Sequence, residues 1–166
     1  RNIDISNKIH FFKGDLRDKE FIDSIFEKVK SKGNSIDGVI HFAGLKAVAE
    51  SVNYPLKYWE NNVIGSFNLF KSMLENNCKT IVFSSSATVY GNPKDELLKE
   101  SADINPINTY GSTKFTVENL LNNVYQTKKD EWNIAILRYF NPIGAHNSGL
   151  IGENPLDKPN NIFPLI

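Results

Sequence analysis

The chain has 166 residues, of which 40% are hydrophobic, 11% aromatic and 23% charged, an ordinary globular mixture that excludes disordered and fibrous classes. Nineteen Lys and Arg balance nineteen Asp and Glu, so no net charge draws the chain toward nucleic acid or an anionic membrane. A single cysteine, Cys78, excludes an intrachain disulfide and fits a reducing compartment such as the cytoplasm, and no apolar run approaches the roughly 20 residues of a membrane span.

Four apolar, β-rich runs alternate with three helical patterns. The first run, 9–12, reads as a buried parallel strand. Residues 19–32 follow as a helix, with Ile22, Ile25, Phe26 and Val29 at helical spacing and Gly33 as its stop. The next strand is 38–42. Residues 55–76 read as a long helix with Trp59, Val63, Phe67, Phe70 and Leu74 on one face. Then come a strand over 80–83, a helix over about 109–128 with Val117, Leu120, Leu121 and Val124 facing inward, and a strand over 134–139. The tail beyond Asn141 is rich in Pro, Gly and Asn and reads as loop. This β-α-β-α-β-α-β order predicts an α/β fold with a parallel sheet. The chain lacks an initiator Met and stops inside an apolar run, so it is expected to be an internal piece of a longer protein.

Ligands of such sheets sit beyond the carboxyl ends of the strands. The residues there are Gly14-Asp15-Leu16, Ala43-Gly44-Leu45-Lys46, Ser84-Ser85-Ser86 and Asn141-Pro142. A Tyr and a Lys four apart on a helix share a face, and the ammonium favours the phenolate, which makes the Tyr a base. That pattern occurs three times, as Tyr90/Lys94, Tyr110/Lys114 and Tyr125/Lys129. Gly91-Asn92-Pro93 breaks the first copy, and the third lies on a polar helix end. Tyr110 opens a helix and is followed by small Gly111, Ser112 and Thr113, which leave room for a ligand. On local sequence Ser86 is either a relay for a substrate hydroxyl or part of a turn that satisfies its own backbone, the latter being favoured. Gly44 is either a place where a cofactor nears the backbone or a tight turn, and Asp15 either an adenine acceptor or a helix cap. His10, His41, His146 and Cys78 have no metal-ligand spacing, so no metal site is expected. Neither a nucleophile elbow nor a Walker loop is present.

Taken together, Gly14-Asp15-Leu16-Arg17, His41-Phe42-Ala43-Gly44-Leu45-Lys46-Ala47-Val48, Asn61-Asn62-Val63, Phe83-Ser84-Ser85-Ser86-Ala87-Thr88-Val89-Tyr90-Gly91, Tyr110-Gly111-Ser112-Thr113-Lys114, Arg138-Tyr139-Phe140-Asn141-Pro142 and Pro159-Asn160-Asn161 resemble the extended short-chain dehydrogenase/reductase family, and within it the UDP-glucose 4-epimerases. The resemblance runs along nearly the whole chain. It implies a Rossmann-like NAD-binding domain over residues 1–141 and the start of a substrate-binding region over 142–166. It implies bound NAD, a UDP-hexose substrate and, for the full-length protein, a homodimer.

The same resemblance implies the site residues. Tyr110 would be the base at the sugar 4-hydroxyl, Lys114 would hold the nicotinamide ribose and lower the Tyr110 pKa, and Ser86 would bond the 4-hydroxyl; all three would also touch NAD. Asp15 and Leu16 would lie on the adenine side. Phe42, Ala43, Gly44, Leu45 and Lys46 would run along the cofactor, with Asn61 and Phe140 as further contacts. Asn141 and Asn161 would touch the nucleotide-sugar, as would Ser86 and Tyr110.

The Gly-rich dinucleotide fingerprint of the family is absent, which implies that its first two strands are missing here. Those strands would lie between 9–12 and 38–42 in the sheet, so the piece alone is expected neither to fold stably nor to bind NAD. Two other readings stand beside the epimerase. A nucleotide-sugar 4,6-dehydratase would carry an Asp-Glu pair where this chain has Ala87 and Thr88. A non-catalytic NAD-binding module would have no need of Ser86, Tyr110 and Lys114 together.

Overall fold

The computed structural model describes residues 9–93, 97–129, 131–144 and 146–150. Three parallel strands, β1 (Val39–His41), β2 (Thr80–Ser86) and β3 (Asn133–Tyr139), form a sheet in the order β1-β2-β3. Val39 pairs with Ile81 and His41 with Phe83, while Ile81 pairs with Ile134 and Ser86 with Tyr139.

The first helix, α1 (Lys19–Lys30), begins where Asp18 accepts a 3.0 Å bond from the Phe21 N–H. Glu20 in its first turn and Lys28 and Lys30 in its last complement the helix dipole. It ends at Gly33, whose φ of 76° favours glycine. The long helical pattern is realised in three contiguous parts: α3 (Pro55–Tyr58), a π-helical stretch (Trp59–Ile64) and α4 (Gly65–Glu75). A short helix, α2 (Val48–Asn53), precedes them, and the last helix is α5 (Thr109–Thr127).

The core is one cluster. Ile22 and Phe26 of α1, Leu69, Phe70 and Met73 of α4, and Val117 and Leu121 of α5 close over Ile81 and Phe83 of β2, with Cys78 and Trp132 at its edge. Among the described residues only one face of the sheet is covered this way. Ile81, Phe83 and Ser85 of β2 point into it and are buried. The alternate residues point to the other face, where Ile40 is 64% and Leu137 40% exposed.

Two expectations are corrected. Residues 9–12 are not a strand: they have no regular structure, and Phe11 is 85% exposed. A strand needs a ladder partner, and the edge of β1 away from β2 is unpaired among the described residues. Phe12 instead lies under the ammonium of Lys28, 5.1 Å from its ring centroid. The second correction concerns the face of the long helix. Phe70 is buried, but Trp59, Phe67 and Leu74 are 36%, 49% and 50% exposed. The inward side is Tyr58, Asn62, Ser66, Leu69 and Met73, where small Gly65 and Ser66 admit close packing.

Candidate active site

Three elements converge at the carboxyl end of β2. Leaving the strand, the chain turns through a 3₁₀ turn (Ala87–Tyr90), and the first turn of α5 packs on that turn. Gly111 makes the approach possible, since a Cβ there would lie 2.8 Å from the Thr88 carbonyl oxygen. Asn108 caps α5 by accepting from the Gly111 N–H at 2.8 Å. The Tyr110 N–H, another free donor of that first turn, donates to Ser51 Oγ of α2 at 3.1 Å. Ser51 is fully buried, so α2 sets the entry of α5.

Tyr110, on this first turn, meets Ser86 at the strand end. Burial pushes the Tyr110 phenol up from its ordinary pKa, and the neighbouring Ser86 hydroxyl pulls it back. Ser86 Oγ also accepts from the Thr88 N–H at 3.2 Å, so the turn-forming role read from local sequence is present as well. Lys114, one turn along α5, is only 6% exposed. Its ammonium donates to the Ser84 carbonyl at 2.7 Å and stands 4.9 Å from the Phe83 ring centroid and 5.9 Å from that of Tyr110. Burial lowers its pKa to about 8, so it stays mostly charged at neutral pH. The expected downward pull of Lys114 on the phenol is not the leading influence here. The ammonium is held by the Ser84 carbonyl and lies over ring faces, and burial decides the direction.

The loop after β1 reaches the same place. A Cβ on Gly44 would sit 3.2 Å from Asn62 Oδ1 and 3.6 Å from Lys114 Nζ. Asn62 of the π-helical stretch holds this loop with both ends of its amide. It accepts from the Leu45 N–H at 2.8 Å, and donates to the Leu45 carbonyl at 3.0 Å and to Thr113 Oγ1 at 3.1 Å. His41, at the end of β1, is buried against Phe70 and Phe83 and bonded to Ser66 Oγ at 2.8 Å. Burial, then the nearby charge of Lys114, drops its pKa to about 4.

The remaining expected residues lie around this centre. Phe42, Ala43, Gly44 and Lys46 are exposed on the loop, and Leu45 is half-buried. Phe140 and Asn141, both exposed, follow Tyr139, the register partner of Ser86. Asn61 donates to the Lys57 carbonyl at 2.7 Å on its own helix. Leu16 packs over Gly65, and its carbonyl accepts from Asn68 at 3.2 Å. Asp15 caps no helix; Asp18 does that. Asp15 instead pairs with Arg17 at 2.7 Å, which holds its carboxyl down at about 2. Arg17 also reaches Glu60, and these residues edge an open groove of about 590 Å³ with Asp18 and Ile64. Asn161 and Lys94 fall outside the described residues.

A buried polar network was not foreseen from the sequence. Glu118 of α5, 1% exposed, accepts from Ser85 Oγ and pairs with Arg138 of β3 at 2.8 Å. Arg138 also donates to the Tyr90 hydroxyl at 2.9 Å. One carboxylate thereby ties together the strand end, the 3₁₀ turn, α5 and β3. Its only sequence signal is an acidic residue one helical turn beyond Lys114, beside apolar Val117.

A family model described as the NAD dependent epimerase/dehydratase family matches residues 1–164. Among similar proteins, UDP-glucose 4-epimerase 2 of Oryza sativa subsp. japonica is 48% identical over 163 residues, covering 98% of this chain and 38% of the rice protein. A bifunctional UDP-glucose 4-epimerase and UDP-xylose 4-epimerase 1 of Pisum sativum is 47% identical over 162 residues, 98% of this chain and 45% of that protein. The crystal structure of UDP-glucose 4-epimerase from Bifidobacterium longum in complex with NAD+ and UDP is similar at 45% identity and a TM-score of 0.83, over 92% of this chain and 44% of that one. The chain spans less than half the length of these relatives.

Proposed function

The chain belongs to the NAD dependent epimerase/dehydratase family, and on that footing we propose that it is the central part of a UDP-glucose 4-epimerase, interconverting UDP-galactose and UDP-glucose. The observation that carries this reading is the meeting of Ser86, Tyr110 and Lys114 at the carboxyl end of β2, with the Gly44 backbone against the Lys114 ammonium.

Tyr110 takes the proton of the sugar 4-hydroxyl and returns it after the ring has turned. Ser86 bonds that hydroxyl and steadies the transfer. Lys114 would hold the nicotinamide ribose. The residues present suit a dinucleotide: a glycine backbone open beside an ammonium, then exposed Phe42 and Phe140 on either side of the strand ends. Bound NAD supplies the transient oxidation at C4. Its positive charge would also favour the Tyr110 phenolate, against the burial that raises the phenol. Asp15, Leu16, Ala43, Leu45, Lys46 and Asn61 complete the cofactor side, and Asn141 and Asn161 the nucleotide-sugar side, with 142–166 opening the substrate region. Ala87 and Thr88 bring no carboxylate beside Ser86, which counts against a 4,6-dehydratase.

The full-length protein works as a homodimer in the cytoplasm. The outward stripe of Trp59, Phe67 and Leu74 is the face such pairing would cover, and the one cysteine is buried and unpaired. No described helix is long and apolar enough to cross a membrane.

The test is to incubate the full-length protein with UDP-galactose and follow UDP-glucose through a coupled dehydrogenase. Conversion that Tyr110→Phe reduces by about 10²–10⁴ is expected for loss of a general base. A 4-keto product in place of UDP-glucose would overturn the epimerase reading in favour of the dehydratase.

A further inference from the structure

We propose that Thr88 is a positioning residue that commits the Ser86 hydroxyl to donate, turning its single proton toward the side where the Tyr110 phenol and the substrate hydroxyl meet. This rests on the reading of Tyr110 as the base.

A serine hydroxyl has one proton to give and two lone pairs to receive. Both lone pairs of Ser86 have a donor within the 3₁₀ turn. The Thr88 N–H donates to Ser86 Oγ at 3.2 Å, and the Thr88 hydroxyl oxygen stands 2.9 Å from it, the second donor on this proposal. What remains to Ser86 is its own O–H. The direction matters, because a hydroxyl that donates to the phenol oxygen stabilises the phenolate, whereas one that accepts from it stabilises the neutral phenol. With the Thr88 hydroxyl donating to Ser86, only the first is open.

Thr88 itself has little freedom. Its carbonyl presses on Gly111 and accepts from the Gly91 N–H at 3.3 Å. Val89 and Tyr90 after it are buried, and the Val89 carbonyl accepts from the Asn105 N–H at 3.0 Å. The turn is therefore registered against α5 one residue from Tyr110. The other titratable groups around the phenol lie elsewhere. Lys114 is on α5; Tyr58 of α3 binds the Ala47 carbonyl and the Glu50 carboxylate of α2. None of them touches Thr88 through a hydrogen bond, so removing its hydroxyl leaves them in place.

The experiment uses the full-length protein with Thr88→Val, Thr88→Ser and Tyr110→Phe. The pH dependence of kcat on UDP-galactose is measured for each. Thr88→Val is expected to move the acid limb upward by about half to one pH unit, roughly three- to tenfold in kcat on that limb, with KM little changed. Thr88→Ser restores the original limb. Ultraviolet titration of the phenolate, wild type against Tyr110→Phe, should show the same shift without turnover. A limb that moves down would mean that Ser86 donates to Thr88, and overturns the proposal; an unmoved limb overturns it too. If Thr88→Val does not hold its fold by melting, Thr88→Cys, a weaker donor of similar size, is read by the same criteria. Retained turnover in Tyr110→Phe would sink the base assignment and this proposal together. An inactive Tyr110→Phe with an unmoved Thr88→Val limb would sink the role of Thr88 alone.

Discussion

The two faces of the β-sheet are built from adjacent residues and have opposite fates. On the helix-covered face, His41, Ile81 and Phe83 are buried beneath α4 and α5. On the open face, Ile40 and Leu137 stand exposed although they are as apolar as their neighbours. Side chains along a strand alternate between faces, so each covered residue has an uncovered neighbour one position away. Apolar character alone therefore does not stabilise this sheet; a partner layer must be present. The covered face also does the positioning, since Ser85, Glu118 and Arg138 hold the site from beneath it.

The largest expected effect concerns the open face as a whole. The isolated 166-residue chain should show no cooperative melt and no stoichiometric NAD binding, because much of its apolar surface has no partner. A cooperative transition in calorimetry, with NAD bound one to one, would break the contrast between the faces. Next is the buried ion pair. In the full-length protein, Arg138→Met should cost about 3–5 kcal/mol by leaving the Glu118 carboxylate buried and unpaired. Denaturant unfolding checks this, and a loss below about 1 kcal/mol would mean that the carboxylate finds water.

A pH titration of stability reads His41. Its folded pKa lies below its unfolded one, so the unfolded chain binds the proton first and stability falls as pH drops from 6.5 toward 4. The gap between 6.5 and about 4, at about 1.4 kcal/mol per unit, amounts to about 3–4 kcal/mol. His41→Gln should flatten that part of the profile. A comparable effect is expected from Ile81→Ala on the covered face, about 3 kcal/mol. The smallest belongs to its open-face counterpart: Ile40→Thr should leave the far-ultraviolet dichroism of the isolated chain unchanged, since Ile40 there has little packing to lose. A loss of dichroism at Ile40 as large as that of Ile81→Ala, both read in the isolated chain, would show the faces to be alike.

Much of the fold was legible in the sequence. The runs at 38–42, 80–83 and 134–139 became strands, and the three helical patterns became helices, because periodicity and the stop at Gly33 are local signals. The run at 9–12 looked the same but had no ladder to join. The short α2 was missed because the helix is held by distant contacts, with the Tyr58 hydroxyl on the Ala47 carbonyl. In the site, the pattern around Tyr110 and Lys114 was readable, and so was the serine run. Asn62, Ser51 and the Glu118–Arg138 pair were not. Each is a polar residue within a helix or strand whose partner lies far along the chain.

By itself the sequence determined the alternation of strands and helices, the candidate Tyr110–Lys114 pair and the family likeness, all of which depend on spacing within short stretches. Only the tertiary structure decided which face of the long helix turns inward. It also decided that the hydroxyls of Ser86 and Thr88 stand within hydrogen-bond distance of each other. Local spacing says which residues share a face; what that face meets is settled by chain closure between segments tens of residues apart, where packing and unsatisfied polar groups compete.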